Sequence, residues 1–504
     1  MSGVMDLYTL GIPFVFKFEV LAMLVMGTVG GVIIGALPGL TATMAVAVLT
    51  PLTYGMSAES AFALLLSAYC AGVYGGCITA VVAKIPGTPS SLMTMLDGYP
   101  MGQRGEAGKA IGVATIASVI GGLISVVILA LFAPVIANFA LDFSAHEYFA
   151  ISLFGLSVIA YISPGSNVKG LLAGCLGLLL ATIGCDPMDG YPRYTLGSFN
   201  LLSGLELLPL LIGLFGIGEV LCSAEQRMGR LEVVKGIGRI LPTWAEFKRL
   251  LPTIARGSTI GVAIGALPAA GGTIAAIISY GVEKRVSKHP EKFGTGIPEG
   301  VAAPESANNA TTGGAMIPML TLGIPGDAIT AILIGALLIH GLQPGPMLFT
   351  DNMPVVSSIF IIMALSNLLF LGVGLVGARV VSKVVATPMR VLLPVILLLC
   401  VIGVYAVRNS MFDLCMLALF GLLGYLFNKG GIPSASFVLG FILGPLVESN
   451  LRRSLILADG DITSFFTRPL CAVFLVVTIG VMIMPGIASL FRKLKNNRSL
   501  PPME

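Results

Sequence analysis

The residues best suited to chemistry gather in one polar stretch and two short breaks. The stretch is Glu305-Ser306-Ala307-Asn308-Asn309-Ala310-Thr311. The breaks are Ile85-Pro86-Gly87-Thr88-Pro89-Ser90-Ser91 and Ile324-Pro325-Gly326-Asp327. Asn308, Asn309, Thr311, Glu305 and Asp327 offer hard oxygen donors, which suit Na⁺ or a hydrogen-bonded carboxylate or hydroxyl. They lie in or beside apolar sequence, where polar and ionisable groups are costly and usually functional. The plainer alternatives are helix–helix hydrogen bonding for the Asn pair and interfacial placement for Glu305 and Asp327. Lys84 stands just before the first break, and Asp97 follows it. An unpaired ammonium at membrane depth costs at least about 2.5–3.5 kcal/mol. Lys84 must therefore snorkel to the interface or pair with Glu305, Asp327 or a bound carboxylate.

Anion chemistry needs no cluster of arginines here. Helices that restart after Pro38, Pro86, Pro268 and Pro325 expose unpaired N–H groups and a positive dipole end. The candidate substrate-binding residues are those at the restarts: Pro38, Gly39, Thr41, Thr43, Lys84, Pro86, Gly87, Thr88, Ser90, Ser91, Gly271, Gly272, Thr273, Pro325 and Gly326. The candidate metal ligands are Asn308, Asn309, Thr311, Glu305 and Asp327. No Ser/His pairing, HExxH spacing or Walker A motif is present, so neither an enzyme nor an ATPase is expected. No cofactor is expected beyond a coupling ion. The eight cysteines sit singly and read as small buried hydrophobes.

The elements that position these residues come in two copies. Residues 27–46 read GTVGGVIIGALPGLTATMAV, and residues 257–276 read GSTIGVAIGALPAAGGTIAA. At an offset of 230, ten of the twenty positions are identical. Glycines four apart line one helix face and let another backbone approach. A proline then ends each helix among small and polar residues. The Ile-Pro-Gly breaks supply a second matched pair. Paired discontinuous helices in two halves point to a transporter binding site, because broken backbone at membrane depth must line a cavity or be buried in protein.

Composition fixes the setting. Of the 504 residues, 56% are hydrophobic and 11% charged, with mean hydropathy +0.96. Soluble domains carry about 25% charged residues. The chain is read as an all-α polytopic membrane protein, with about 10–13 membrane elements in two repeats and broken or re-entrant helices. Apolar runs are found at 20–37, 60–83, 111–139, 148–162, 169–184, 205–223, 257–281, 327–341, 355–378, 391–407, 411–427, 434–447 and 470–491. The net charge of +4 argues against nucleic acid as a partner. Met1–Glu19 lacks the basic start of a cleaved signal peptide.

One basic stretch divides the chain. Residues 225–256 hold seven basic and three acidic residues, which marks a cytoplasmic loop. Trp244 suggests an interfacial helix within it. The expected organisation is a first membrane repeat (1–224), a basic cytoplasmic linker (225–256), a second repeat with additional helices (257–491) and a basic cytoplasmic tail (492–504). The basic loops swap sides between the two copies, as in an inverted repeat.

GALPGLTATMAVAVLTPLTYGM, YGGCITAVVAKIPGTPSSLMTMLDGYPMGQRGEAGKA and PEGVAAPESANNATTGGAMIPMLTLGIPG resemble the large membrane subunit of the bacterial tripartite tricarboxylate transporters. The similarity runs from about residue 18 to about 490. It implies Na⁺-gradient-driven symport of a carboxylate, such as citrate or another di- or tricarboxylate, across the bacterial inner membrane by a multi-pass protein. It also implies a small membrane subunit and a periplasmic solute-binding protein as partners, within the lipid bilayer. That family commonly has a polar uncharged residue where this chain has Lys84, so the ammonium could meet a substrate carboxylate or stand in for a coupled cation. An uncoupled channel for organic anions is the competing reading, and an intramembrane enzyme a more remote one.

Overall fold

The computed structural model describes residues 9–162, 166–225, 238–384 and 389–497. The described chain is almost wholly helical. Its first half holds α1 (Phe18–Ala36), α2 (Ala42–Leu49), α3 (Ala58–Ala83), α4 (Leu92–Met101), α5 (Ala107–Ala140), α6 (Ala145–Ile162), α7 (Asn167–Ala181) and α8 (Leu207–Glu225, through a π-helical turn). Its second half holds α9 (Trp244–Gly265), α10 (Gly271–Val286), α11 (Pro298–Leu322), α12 (Ala328–Ile339), α13 (Met353–Val384), α14 (Met389–Arg408), α15 (Met411–Gly430), α16 (Ser434–Leu457) and α17 (Pro469–Asn497). A two-residue hairpin, Gly184–Cys185 with Pro192–Arg193, is the strand content of the described residues. Among the described residues, eight helices are long and apolar enough to cross a bilayer, and four shorter apolar helices accompany them. The sum of twelve falls within the range read from the sequence.

The chain forms two compact units that cut across the expected halves. One comprises residues 1–141 and 206–430, hence α1–α5 and α8–α15; the other comprises 142–205 and 431–504, hence α6, α7, α16 and α17. Both glycine-proline copies fall in the first unit. Its core is built on α3 and α11, where every residue from Ser60 to Ala83 and from Gly300 to Thr321 is buried.

The glycine spacing read from the sequence is the reason α1 and α9 sit so close to these core helices. A Cβ on Gly27, Gly31 or Gly35 would strike the backbone of Leu64, Ala68 and Gly72 on α3. On Gly257, Gly261 or Gly265 it would strike that of Ala303, Ala307 and Thr311 on α11. Each residue of the second set is the first-set residue displaced by 230 on the outer helix and 239 on the inner one, so the two seams repeat contact for contact.

Within the run 257–281 the chain leaves the helix at Gly265 and restarts at Gly271, on either side of Pro268. The polar stretch 298–322 is one continuous helix, although no apolar run marked it. Trp244, 68% exposed, opens α9 rather than a separate interfacial helix, and α9 runs through the boundary expected at 256/257. Thr243 and Glu246 close a capping box there, which starts the helix at that point. The linker residues 226–237, the amino-terminal residues 1–8 and the tail from 498 lie outside the described residues.

The second unit combines a glycine seam of its own with ion pairs. Gly177 on α7 faces the backbone of Phe437, and Gly440 on α16 faces that of Gly174. Beside the hairpin, Arg193 reaches Glu448 at 2.5 Å and Arg452 reaches Asp186 at 2.6 Å. The Met188 and Asp189 backbone N–H groups, joined by Arg452, hold the Asp186 carboxyl down at about 2.

Candidate functional site

The first unit brings the second-copy candidates together around the start of α10. Ala269 and Gly271 adopt positive φ, 64° and 61°, as the chain turns back after α9. That turn lays Gly272 against α11, where a side chain would meet the Asn308 Oδ1 and, at 3.3 Å, the Thr311 Oγ1. Asp327 lies next to Gly271. Its Oδ1 accepts the Thr330 N–H at 2.7 Å and the Thr330 hydroxyl at 2.8 Å, and its Oδ2 accepts the Tyr69 hydroxyl at 2.6 Å. Asp327 is thus the N-cap of α12. The anion expected at that helix start is already present as the chain's own carboxylate.

The Asn pair ties the two core helices. Asn308 Nδ2 donates to the Val73 carbonyl at 3.3 Å, and Asn309 Nδ2 donates to the Cys70 carbonyl at 3.0 Å. Asn309 is fully buried, and its Oδ1 has no hydrogen-bond partner among the described residues. Buried amide oxygens are rarely left so.

The first-copy candidates form a separate hydroxyl cluster. The break after α3 folds back so that the Gly87 N–H donates to the Gly76 carbonyl at 3.3 Å. Thr88 Oγ1 lies 3.0 Å from Ser90 Oγ and 2.8 Å from Ser91 Oγ. Gly76 leaves room for this cluster, since a Cβ there would meet Thr88 and Ser91. α10 packs against the Pro89–Ser91 turn, and α2 packs against α12. Each copy's restarted helix therefore lies against the other copy's break. Thr41 caps α2 by accepting the Met44 N–H at 3.2 Å. Gly39 faces α8, where its carbonyl accepts the Ser223 hydroxyl at 2.8 Å.

Two candidates stand apart. Lys84 is exposed, and its ammonium sits 5.6 Å from the Tyr99 ring centroid, a cation–π distance. It does not pair with Glu305 or Asp327. Glu305 turns away from the Asn pair toward α4 and α5, where Thr94 donates to it at 2.5 Å and Ser118 at 3.1 Å.

Tyr69, Thr94 and Ser118 were not among the sequence candidates. Tyr69 carried a signal, since it holds in α3 the place that Asn308 holds in α11 at the offset of 239. Thr94 and Ser118 carried none, being ordinary hydroxyls in apolar helices.

Residues 21–439 match the family described as "Tripartite tricarboxylate transporter TctA family". An "Uncharacterized 52.8 kDa protein in TAR-I ttuC' 3'region" of Agrobacterium vitis is 37% identical over 472 residues, covering 92% of this chain and 93% of that one. An "Uncharacterized protein in TAR-II ttuC' 3'region" of the same organism is 41% identical over 234 residues, covering 45% of this chain and 96% of that one. No solved structure matches the chain at a significant level.

Proposed function

The chain belongs to the tripartite tricarboxylate transporter TctA family, and from that membership we propose that it is the subunit through which a carboxylate crosses the bacterial inner membrane, driven by a Na⁺ gradient. It is a multi-pass membrane component of a transporter. The substrate is a di- or tricarboxylate such as citrate, presented by a periplasmic binding protein, and a small membrane subunit completes the assembly. The protein carries out transport, not catalysis. The two copies enter the membrane in opposite senses, with 225–256 and the carboxyl terminus cytoplasmic.

The observation that carries this reading is the meeting of Gly271–Gly272 with Asn308, Thr311 and Asp327 inside the protein. A helix start there supplies unpaired N–H groups and a positive dipole end for a substrate carboxylate. The Asn amide oxygens and Asp327 supply hard donors for Na⁺. The unpartnered Asn309 Oδ1 supports the same reading. The hydroxyl cluster Thr88–Ser90–Ser91, packed against α10, supplies further donors for a substrate with several carboxylates.

The test is reconstitution of the three proteins in vesicles, with labelled di- and tricarboxylates offered with and without an inward Na⁺ gradient. Uptake should require both the gradient and the binding protein. Asn308→Ala or Asn309→Ala should weaken ion or substrate binding about 10- to 100-fold, the worth of one hydrogen bond to a charged group, with expression intact. Wild-type uptake by both variants refutes the site. Uptake indifferent to Na⁺ refutes the coupling ion.

A further inference from the structure

Among the described residues, five buried side-chain atoms lack a hydrogen-bond partner. Two of them, on Arg193 and Glu299, belong to groups already ion-paired. The other three are oxygens in the first unit, where α3, α5, α11 and α13 meet. They are Asn309 Oδ1 on α11, and Ser366 Oγ and Asn367 Oδ1 on α13. All three residues are fully buried.

Packing gathers these oxygens around one residue of α3. Asn309 Nδ2 donates to the Cys70 carbonyl at 3.0 Å, and the Ser366 and Thr312 hydroxyls lie beside the Cys70 side chain. Asn367 follows Ser366 on α13, and its Oδ1 faces Gly122 on α5, where a Cβ would overlap it. The preceding residue, Gly121, lies on the Ser306 carbonyl of α11, about one turn before Asn309. The amide orientations are fixed. Asn309 Nδ2 faces the Cys70 carbonyl, and Asn367 Nδ2 faces the Met363 carbonyl at 2.7 Å. Turning either amide over would set its oxygen against a carbonyl oxygen. Each Oδ1 is therefore an acceptor that receives no hydrogen bond.

A buried acceptor without a donor is costly and rare. A water molecule has two hydrogens to donate and cannot serve all three oxygens, whereas a cation can. The donors are neutral, since the acid nearest along α11, Glu305, is turned to Thr94 and Ser118. Hard oxygens without a carboxylate suit a monovalent ion better than Ca²⁺ or Mg²⁺. Among the described residues, no group of three His, Cys, Asp or Glu side chains is placed to hold a metal.

We propose that Asn309 Oδ1, Ser366 Oγ and Asn367 Oδ1 bind a Na⁺ ion, with the Thr312 hydroxyl and the Cys70 carbonyl beside them. The site brings α13, which lies outside both matched segments, into ion binding. Asn308, the residue before Asn309, faces Gly272 at the start of α10. An ion held at Asn309 thus fixes the same turn of α11 that carries Asn308 to the proposed substrate site. The choice of Na⁺ and the link to substrate rest on the transport reading above, but the binding of a monovalent cation does not.

The test is the melting temperature of the purified full-length protein, titrated with NaCl against choline chloride at constant ionic strength. Na⁺ should stabilise the wild type saturably. Ser366→Ala and Asn367→Ala should each raise the half-saturating Na⁺ concentration about 10- to 100-fold, the worth of one hydrogen bond to a charged group. In choline chloride, Ser366→Ala should melt at or above the wild-type temperature, because the hydroxyl it removes has no partner to lose. That variant deletes a single oxygen, so it decides the question if Asn367→Ala does not fold. The proposal is overturned if Na⁺ has no saturable effect on the wild type, or if Ser366→Ala keeps the wild-type Na⁺ dependence. A Ser366→Ala protein that melts lower in choline chloride also overturns it, since the hydroxyl would then serve a water or the fold. In vesicles holding the three-protein assembly, Na⁺-driven uptake unchanged by both substitutions would leave the transport reading standing and this site wrong. Absence of uptake for every carboxylate tried would instead sink the transport reading, with the melts still deciding the site.

Discussion

The two Ile-Pro-Gly breaks have the same backbone path and opposite side-chain chemistry. Gly87 lies against Gly35 and Gly76, and Gly326 lies against Gly265 and Ala315, which are the same places at offsets of 230 and 239. At the next residue the copies diverge. Thr88 joins two serine hydroxyls, while Asp327 caps α12 and holds Tyr69. The first break presents neutral donors and acceptors; the second presents a charge already ordered by three donated hydrogen bonds. One scaffold thus carries two different side-chain clusters. The duplication keeps the backbone contacts of the breaks and varies the side chains beside them.

The largest effects should come from the shared scaffold, and they should be unequal. A Cβ on Gly35 would overlap the Gly72 carbonyl, whereas one on Gly265 would lie 2.8 Å from the Thr311 oxygen. Overpacking a core costs about 1–3 kcal/mol and occasionally more. Gly35→Val should leave no folded protein in detergent, and Gly265→Ala should fold with a loss of about 1–3 kcal/mol. Chromatographic yield and thermal melts read this out. Equal behaviour of the two variants would break the claim that the Gly35–Gly72 approach is tighter than the Gly265–Thr311 one.

Next come the residues at which the breaks differ. Asp327→Ala removes an N-cap, worth about 0.5–2 kcal/mol, and strands the buried Tyr69 hydroxyl, at about 1–3 kcal/mol. Thr88→Ala removes hydroxyl–hydroxyl contacts at about 1 kcal/mol. The free-energy loss should therefore be about 1.5- to 5-fold larger for Asp327→Ala, in line with those costs. Tyr69→Phe added to Asp327→Ala should recover part of the loss, because no hydroxyl is then left unpaired. A double variant no more stable than Asp327→Ala would show that the Tyr69 bond does not contribute.

The scaffold was legible in the sequence for a physical reason. Glycines four apart followed by proline leave a signature that survives duplication, and it located α1, α9 and both breaks. Hydropathy failed at α11, because Glu305, Asn308, Asn309 and their neighbours lower its apolar content. The helix is nonetheless buried from Gly300 to Thr321, with α3 taking the Asn308 and Asn309 amide N–H groups and α4 and α5 taking Glu305. The partners of Glu305 were illegible, since a threonine on α4 and a serine on α5 become its neighbours only through tertiary packing. The division into two units was equally hidden. It joins α6 and α7 to α16 and α17 across more than half the chain, and no local pattern records such a pairing.

The smallest effect lies in how the copies place their left-handed residues. The copies share two: one after the outer helix, at Gly39 (φ 84°) and Ala269 (φ 64°), and one closing the inner helix, at Lys84 (φ 56°) and Gly323 (φ 71°), while the second copy adds Gly271 (φ 61°). The copies use glycine at opposite members of this set. A non-glycine residue in that region costs about 1–2 kcal/mol, and glycine recovers most of it, less the entropy that glycine loses on folding. Ala269→Gly has no side-chain contact to lose beyond its methyl group, so it should stabilise by about 0.5–1 kcal/mol. Lys84→Gly gains the same relief and loses the contact with Tyr99, worth about 0.5–1 kcal/mol at an exposed site, so it should leave the melt nearly unchanged. Tyr99→Leu should then destabilise wild type by about 0.5–1 kcal/mol and the Lys84→Gly protein by less. A Tyr99→Leu loss that is the same in both backgrounds would mean that Lys84 is not held over the ring, and its left-handed turn would need another source of support.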